Sequence, residues 1–116
     1  MLSGEVPYTA FNARKSYIEN NEEVIKKFNK ALNKGIEYVN SNSSEDIASA
    51  ILNQFPDTSL NDAVVIIERY KDADSWLSNT YISEESFKNL EDIMIRADLL
   101  DEYVPYNDLI NNKFNE

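Results

Sequence analysis

Residue types limit the available chemistry at once, because the 116-residue chain contains neither histidine nor cysteine. That removes the ordinary near-neutral general base, thiolate nucleophiles, disulfides and the usual zinc ligands. Paired acids remain: Glu22/Glu23, Glu45/Asp46, Glu84/Glu85 and Asp101/Glu102. A glycosidase would need two carboxylates brought together from distant positions, and nothing singles out such a pair. The first three pairs stand where helices are expected to begin, and there they favour the positive end of the helix dipole. Asp72-x-Asp74-Ser75 has the opening of a calcium loop but lacks its glycine and its closing bidentate acid, so it reads as a solvated turn. Asn42-Ser43-Ser44 fits a glycosylation sequon, a short pattern expected by chance in a chain with 15 asparagines. Gly4 and Gly35 are the only glycines, which excludes a glycine-rich phosphate loop. The chain therefore reads as non-enzymatic, with no cofactor and no metal.

The aromatic residues offer binding rather than catalysis. Tyr8, Phe11, Trp76 and Tyr81 could line a mostly apolar cleft, with Thr9 and Asn12 as hydrogen-bonding groups and Arg14 or Lys15 as a charge for an anion. For Trp76 and Tyr81 the simpler reading is that they anchor a connecting segment to the core. Tyr8, Thr9, Phe11 and Asn12 are the candidate ligand-binding residues, because strand ends in α/β lobes are where ligands sit.

These positions depend on the elements that carry them. Residues 6–13 read as one β-strand with apolar groups on both faces, the pattern of a strand buried on two sides. Pro7, which cannot donate to a ladder, suits its start. Everything after it reads as helix. One strand cannot make a sheet, so the chain looks like a piece of something larger, with the strand paired to another copy or rearranged. A short helical stretch is expected over 14–20, followed by a long helix from about 22 to 39. In the long helix Val24, Ile25, Phe28, Ala31, Leu32, Gly35, Ile36 and Val39 share one stripe, and Lys26, Lys27, Lys30, Lys34 and Glu37 lie largely outside it. Asn21 is the expected N-cap, and Gly35 is expected to serve close packing.

Three further helices announce themselves with a serine cap followed by acids. Ser43 with Asp46 opens one through about 54, burying Ile47, Ala48, Ile51 and Phe55, and Pro56 ends it. Ser59 with Asp62 opens the next through about 71, burying Leu60, Ala63, Val64, Ile67 and Tyr70. Ser83 with Glu84 and Glu85 opens the last through about 99, burying Phe87, Leu90, Met94 and Ala97. A short closing helix is expected near Tyr106. No recurring pattern suggests a repeat array. The fold class is mainly α, four to six helices preceded by one N-terminal strand, in a single unit over residues 1–116.

The balance of 11 basic to 21 acidic residues, a formal net charge of −10, argues against nucleic acid as a partner. No apolar run approaches the roughly 20 residues of a membrane span. No signal segment is visible, so for an exported protein it would lie upstream of Met1.

The phrase Pro7-Tyr8-Thr9-Ala10-Phe11-Asn12-Ala13-Arg14-Lys15-Ser16-Tyr17-Ile18, with the long helix after it, resembles the C-terminal third of the solute-binding proteins of ABC importers. The similar branch is the nitrate, sulfonate, taurine and thiamine-precursor group. Gln54-Phe55-Pro56-Asp57-Thr58-Ser59-Leu60, Arg69-Tyr70-Lys71-Asp72-Ala73-Asp74-Ser75-Trp76 and Pro105-Tyr106-Asn107-Asp108-Leu109-Ile110-Asn111-Asn112 add to the resemblance. It implies the C-terminal part of an α/β two-lobed clamshell, with residues 6–13 as the crossover strand. The full-length parent would be periplasmic or a cell-surface lipoprotein, binding a small solute such as a sulfonate, nitrate or a pyrimidine, and delivering it to an ABC permease. The alternative is a self-contained helical interaction module forming a strand-mediated homodimer.

Overall fold

A computed structural model describes residues 4–73 and 75–115, and these are mainly helical. The helices are α1 (Lys15–Asn20), α2 (Glu22–Ser41), α3 (Ser44–Ile51), α4 (Leu60–Asp72), α5 (Glu84–Arg96) and α6 (Tyr106–Leu109), with a 3-10 turn at Leu52–Gln54. Asp74, half of the calcium-like pattern, lies outside the described residues. None of the helices described is long and apolar enough to cross a membrane.

The expected strand is not formed. Among the described residues there is no strand, and residues 4–13 carry no regular structure. The cause is the one that made the strand puzzling: a ladder needs a second strand, and here the segment has none to pair with.

The serine caps form as their spacing requires. Ser43 accepts from the Asp46 amide at 3.1 Å and donates to the Asp46 carboxylate at 2.7 Å. Ser59 and Asp62 repeat this at the same distances. Ser83 accepts from the Ser86 amide at 3.0 Å. Each cap satisfies one of the amide donors that a helix start leaves orphaned. Asn21 stands at the expected N-cap position of α2, its carbonyl accepting the Val24 and Ile25 amides at 2.9 and 3.2 Å. Its side chain turns back to α1, whose C-cap it also is, and donates to the Tyr17 carbonyl at 2.9 Å.

The chain divides into two compact units, one of residues 1–26 with 81–116 and the other of residues 27–80. In the second unit α3 packs on α4 around Ile47, Ala48, Ala63 and Ile67, with Val39, Leu52, Val64 and Trp76 against them. The spacing of Ala63 and Ile67 puts both on one face of α4. Trp76 also stacks on Tyr70, ring centres 5.9 Å apart, so the connection after α4 is held by its tryptophan as expected. Lys71 donates to the Asn42 carbonyl, tying the end of α4 to the end of α2.

Burial falls short of the sequence reading at several positions. Ile51, Phe55, Leu60, Tyr70 and Ala97 are exposed rather than buried, and α4 adds Val65 and Ile66 outside its inward face. Helix α2 buries none of its 20 residues despite its apolar stripe. Gly35, expected at a close contact, is open: a Cβ built there would meet nothing within 4 Å. Periodicity identifies an apolar face but not what covers it.

In the first unit the core is small. Phe87 and Phe114 are buried, as are Ser86 and Glu91, and Phe87 meets Tyr106 edge-to-face at 5.9 Å. Helix α5 stops at Arg96, three residues short of its expected end. The Leu99 amide donates to the Met94 carbonyl at 2.9 Å and the Asp98 amide to the Ile95 carbonyl at 3.1 Å, with Asp98 at φ +54°. That is a Schellman closure with aspartate in the left-handed position usually held by glycine, so no glycine marks the end of α5 in the sequence.

Candidate functional site

The four candidate ligand residues lie on the irregular segment before α1. Tyr8 is 94% exposed and Phe11 76%, and Thr9 and Asn12 are exposed as well. Asn12 folds back locally, its side-chain amide donating to the Ala10 carbonyl at 3.1 Å. Arg14 and Lys15, the candidate cations, are exposed beside them, at the start of α1. The four residues are thus close in the chain and open to solvent. Of the other two aromatics weighed, Trp76 packs on the second unit's core and Tyr81 is half exposed.

A polar cluster that was not foreseen sits in the first unit, where the C-terminal phrase meets the approach to α5. Tyr106 donates its hydroxyl to the Ile82 carbonyl. Asn112 donates to that carbonyl at 2.9 Å and to the Tyr106 oxygen at 2.6 Å. The Ile82 amide donates to Asn112 Oδ1 at 3.3 Å, and Asn115 donates to the same atom at 2.6 Å. Burial, followed by the influence of Tyr81, pushes the Tyr106 phenol above its ordinary range, so it stays neutral and serves as donor and acceptor only. The available signal was the Tyr106 to Asn112 spacing, which sequence reading took only as a point of resemblance.

A second cluster lies on the outer side of α5. Tyr103 donates to Asp92 at 2.6 Å, and Lys88 bonds both oxygens of that carboxylate at 3.0 and 3.1 Å. These bonds, Tyr103's before Lys88's, hold Asp92 below the usual carboxylate range. Its carboxylate in turn raises both the Tyr103 phenol and the Lys88 ammonium. The neighbouring Glu91 is buried, and its carboxylate accepts from the Val104 amide at 2.7 Å. Lys113 pairs with Glu22, lowering the Glu22 carboxyl through that hydrogen bond.

Both clusters bind backbone: one holds the C-terminal tail to Ile82, the other holds residues 103–104 to α5. Among the described residues no group of three or more acids is placed to hold a metal ion. The Asn42 sequon has a local use, since its amide donates to the Tyr38 carbonyl at 2.8 Å and Ser44 is buried. Of the features weighed, the segment of Tyr8, Thr9, Phe11 and Asn12 is exposed.

No protein-family model and no solved structure matches the chain. It is similar to the "Putative binding protein YtlA" of Bacillus subtilis (strain 168), 39% identical over 114 residues that make up 98% of this chain. Those residues correspond to 34% of the relative, so the chain spans about a third of the length of the curated protein it matches.

Proposed function

We propose that this chain is the helical C-terminal part of the solute-binding component of an ABC importer, a non-catalytic protein working outside the cytoplasmic membrane. It contributes to capture of a small solute of the sulfonate, nitrate or pyrimidine kind, and the complete protein closes on that solute and presents it to a permease. The observation that carries this reading is the 39% identity, along nearly all of the chain, to one third of a longer protein named for binding. Motifs along the whole chain resembling that importer family support it. Tyr8, Thr9, Phe11 and Asn12 then belong to the cleft wall or hinge, completed by loops that lie in the remaining two-thirds.

The reading predicts that the 116-residue chain alone binds no solute with useful affinity. Calorimetry and thermal-shift titration with taurine, nitrate and thiamine-type pyrimidines should give no saturable response from it. The full-length Bacillus relative should respond to one of these classes in the micromolar range. Saturable micromolar binding by the short chain, or indifference of the full-length relative to all three classes, would sink the proposal. The high exposure of Tyr8 and Phe11 favours one second reading, an interaction module that pairs through its N-terminal segment. Light scattering separates the two, since that module forms a dimer that is lost when residues 2–13 are deleted.

A further inference from the structure

The chain enters the segment of Tyr8, Thr9, Phe11 and Asn12 under more restraint than its lack of regular structure suggests. Asn89, on α5, donates its side-chain amide to the Glu5 carbonyl at 3.2 Å, a bond within the first unit between residues 84 apart in the chain. Gly4 lies against the same side chain. It stands at φ +67°, and a Cβ built on it would come within 3.0 Å of Asn89 Nδ2. That angle belongs to the left-handed region, which glycine enters without steric cost. Two independent features thus bring the backbone of residues 4–5 onto one amide group.

The next two residues carry that placement forward. The ring of Pro7 fixes its own φ, and Val6, preceding a proline, is held to extended backbone. Both are half-buried, whereas residues 8–17 are exposed. The boundary between the docked and the exposed stretch therefore falls between Pro7 and Tyr8, the first of the candidate ligand residues. Control fades beyond it, because each further residue adds two soft dihedrals between itself and the Glu5 bond. We infer that Asn89 is a positioning residue for the binding segment: its amide, seated against Gly4 and closed on the Glu5 carbonyl, sets where the chain leaves α5 and so where Tyr8 and Thr9 are presented. That these residues then meet a solute rests on the proposed function. The latch itself rests on the geometry of the first unit alone.

The 116-residue chain has no cysteine, so two introduced cysteines can carry spin labels without a background. Thr9→Cys/Glu85→Cys reports the segment against α5, and Glu85→Cys/Arg96→Cys reports α5 alone. Pulsed electron resonance should give a narrow distance distribution for the first pair, at least about twofold broader once Asn89→Ala removes the amide, as loss of a local tether requires. Gly4→Ala, which attacks the same bond from its other side, should broaden it likewise. A label moved to Ala13→Cys should respond less than the one at residue 9. The α5 pair and the thermal midpoint should not change in either variant. A distribution for the first pair that is already as broad in the parent chain, or that either variant leaves unchanged, would overturn the proposal. So would equal responses at residues 9 and 13, or broadening of the α5 pair with a lowered midpoint, which would make Asn89 a support of its own helix only. Solute titrations of the full-length Bacillus relative decide the importer reading separately. If they fail while the distances behave as stated, that reading falls and the latch stands; the converse removes only the latch.

Discussion

Side-chain amides and hydroxyls do much of the structural work of this molecule by completing backbone hydrogen bonds. Asn20, Asn21 and Asn42 each donate a side-chain amide to the carbonyl four residues back at the ends of α1 and α2, and the Tyr38 carbonyl takes the Asn42 backbone amide as well. The asparagine-rich composition thus has a local purpose that counting alone did not reveal. The Lys88–Asp92–Tyr103 cluster gives a pH-dependent prediction at this scale. Asp92 has a depressed carboxyl in the folded state, so its contribution is fully present above the ordinary aspartate range and is lost as pH falls through the depressed value. Tyr103→Phe removes the leading cause of that depression and should move the Asp92 titration upward, read by NMR of its carboxyl carbon. An unchanged titration would assign the shift to Lys88 alone. The cluster was not legible in the sequence because Tyr103 lies beyond the end of α5, and no helical period relates it to Asp92.

Helix starts were legible for a physical reason: a Ser-x-x-acid cap lies within four consecutive residues and needs no knowledge of the remaining fold. Ser59→Ala should destabilise the second unit by about 1 kcal/mol in urea unfolding, and Ser59→Gly by only a few tenths. The other end of a helix was harder to read, since α5 stops through a left-handed Asp98 rather than a glycine. The strand failed for the opposite reason to the caps, because pairing is non-local and residues 6–13 have a strand-like composition whether or not a partner exists. Burial on α2 was half legible: several residues of the apolar stripe are half-buried, and Val39 packs against the α3–α4 core. Gly35→Ala gives a direct check. With nothing within 4 Å of the new methyl group, it should raise the stability of the isolated chain by up to about 1 kcal/mol through helix propensity. A loss of stability would mean that the face is covered in solution.

At the scale of the whole molecule, the two compact units have small cores, with Ile47 at 2% and Ala48 at 0% exposure the most deeply buried side chains of the second. Many large apolar groups remain outside those cores, among them Val65, Ile66, Leu99 and Leu109. A chain matching a third of its relative and displaying such faces is suited to acting as part of a larger assembly, which is where its proposed contribution to solute capture belongs. The candidate site was legible only as a list of residues, because residue types do not say that Tyr8, Thr9, Phe11 and Asn12 lie exposed on a segment without regular structure. The irregular segment before α1 has one more consequence. Tyr8 and Phe11 are largely exposed on a segment without regular structure, and chymotrypsin prefers large aromatics in backbone it can draw into an extended form. Brief digestion should therefore cut after Tyr8 and Phe11 before it reaches Phe87 or Phe114. The early product would begin at Thr9 or Asn12 and keep the six described helices, so mass spectrometry of the first fragments would date the loss of the segment before α1 relative to the loss of the fold.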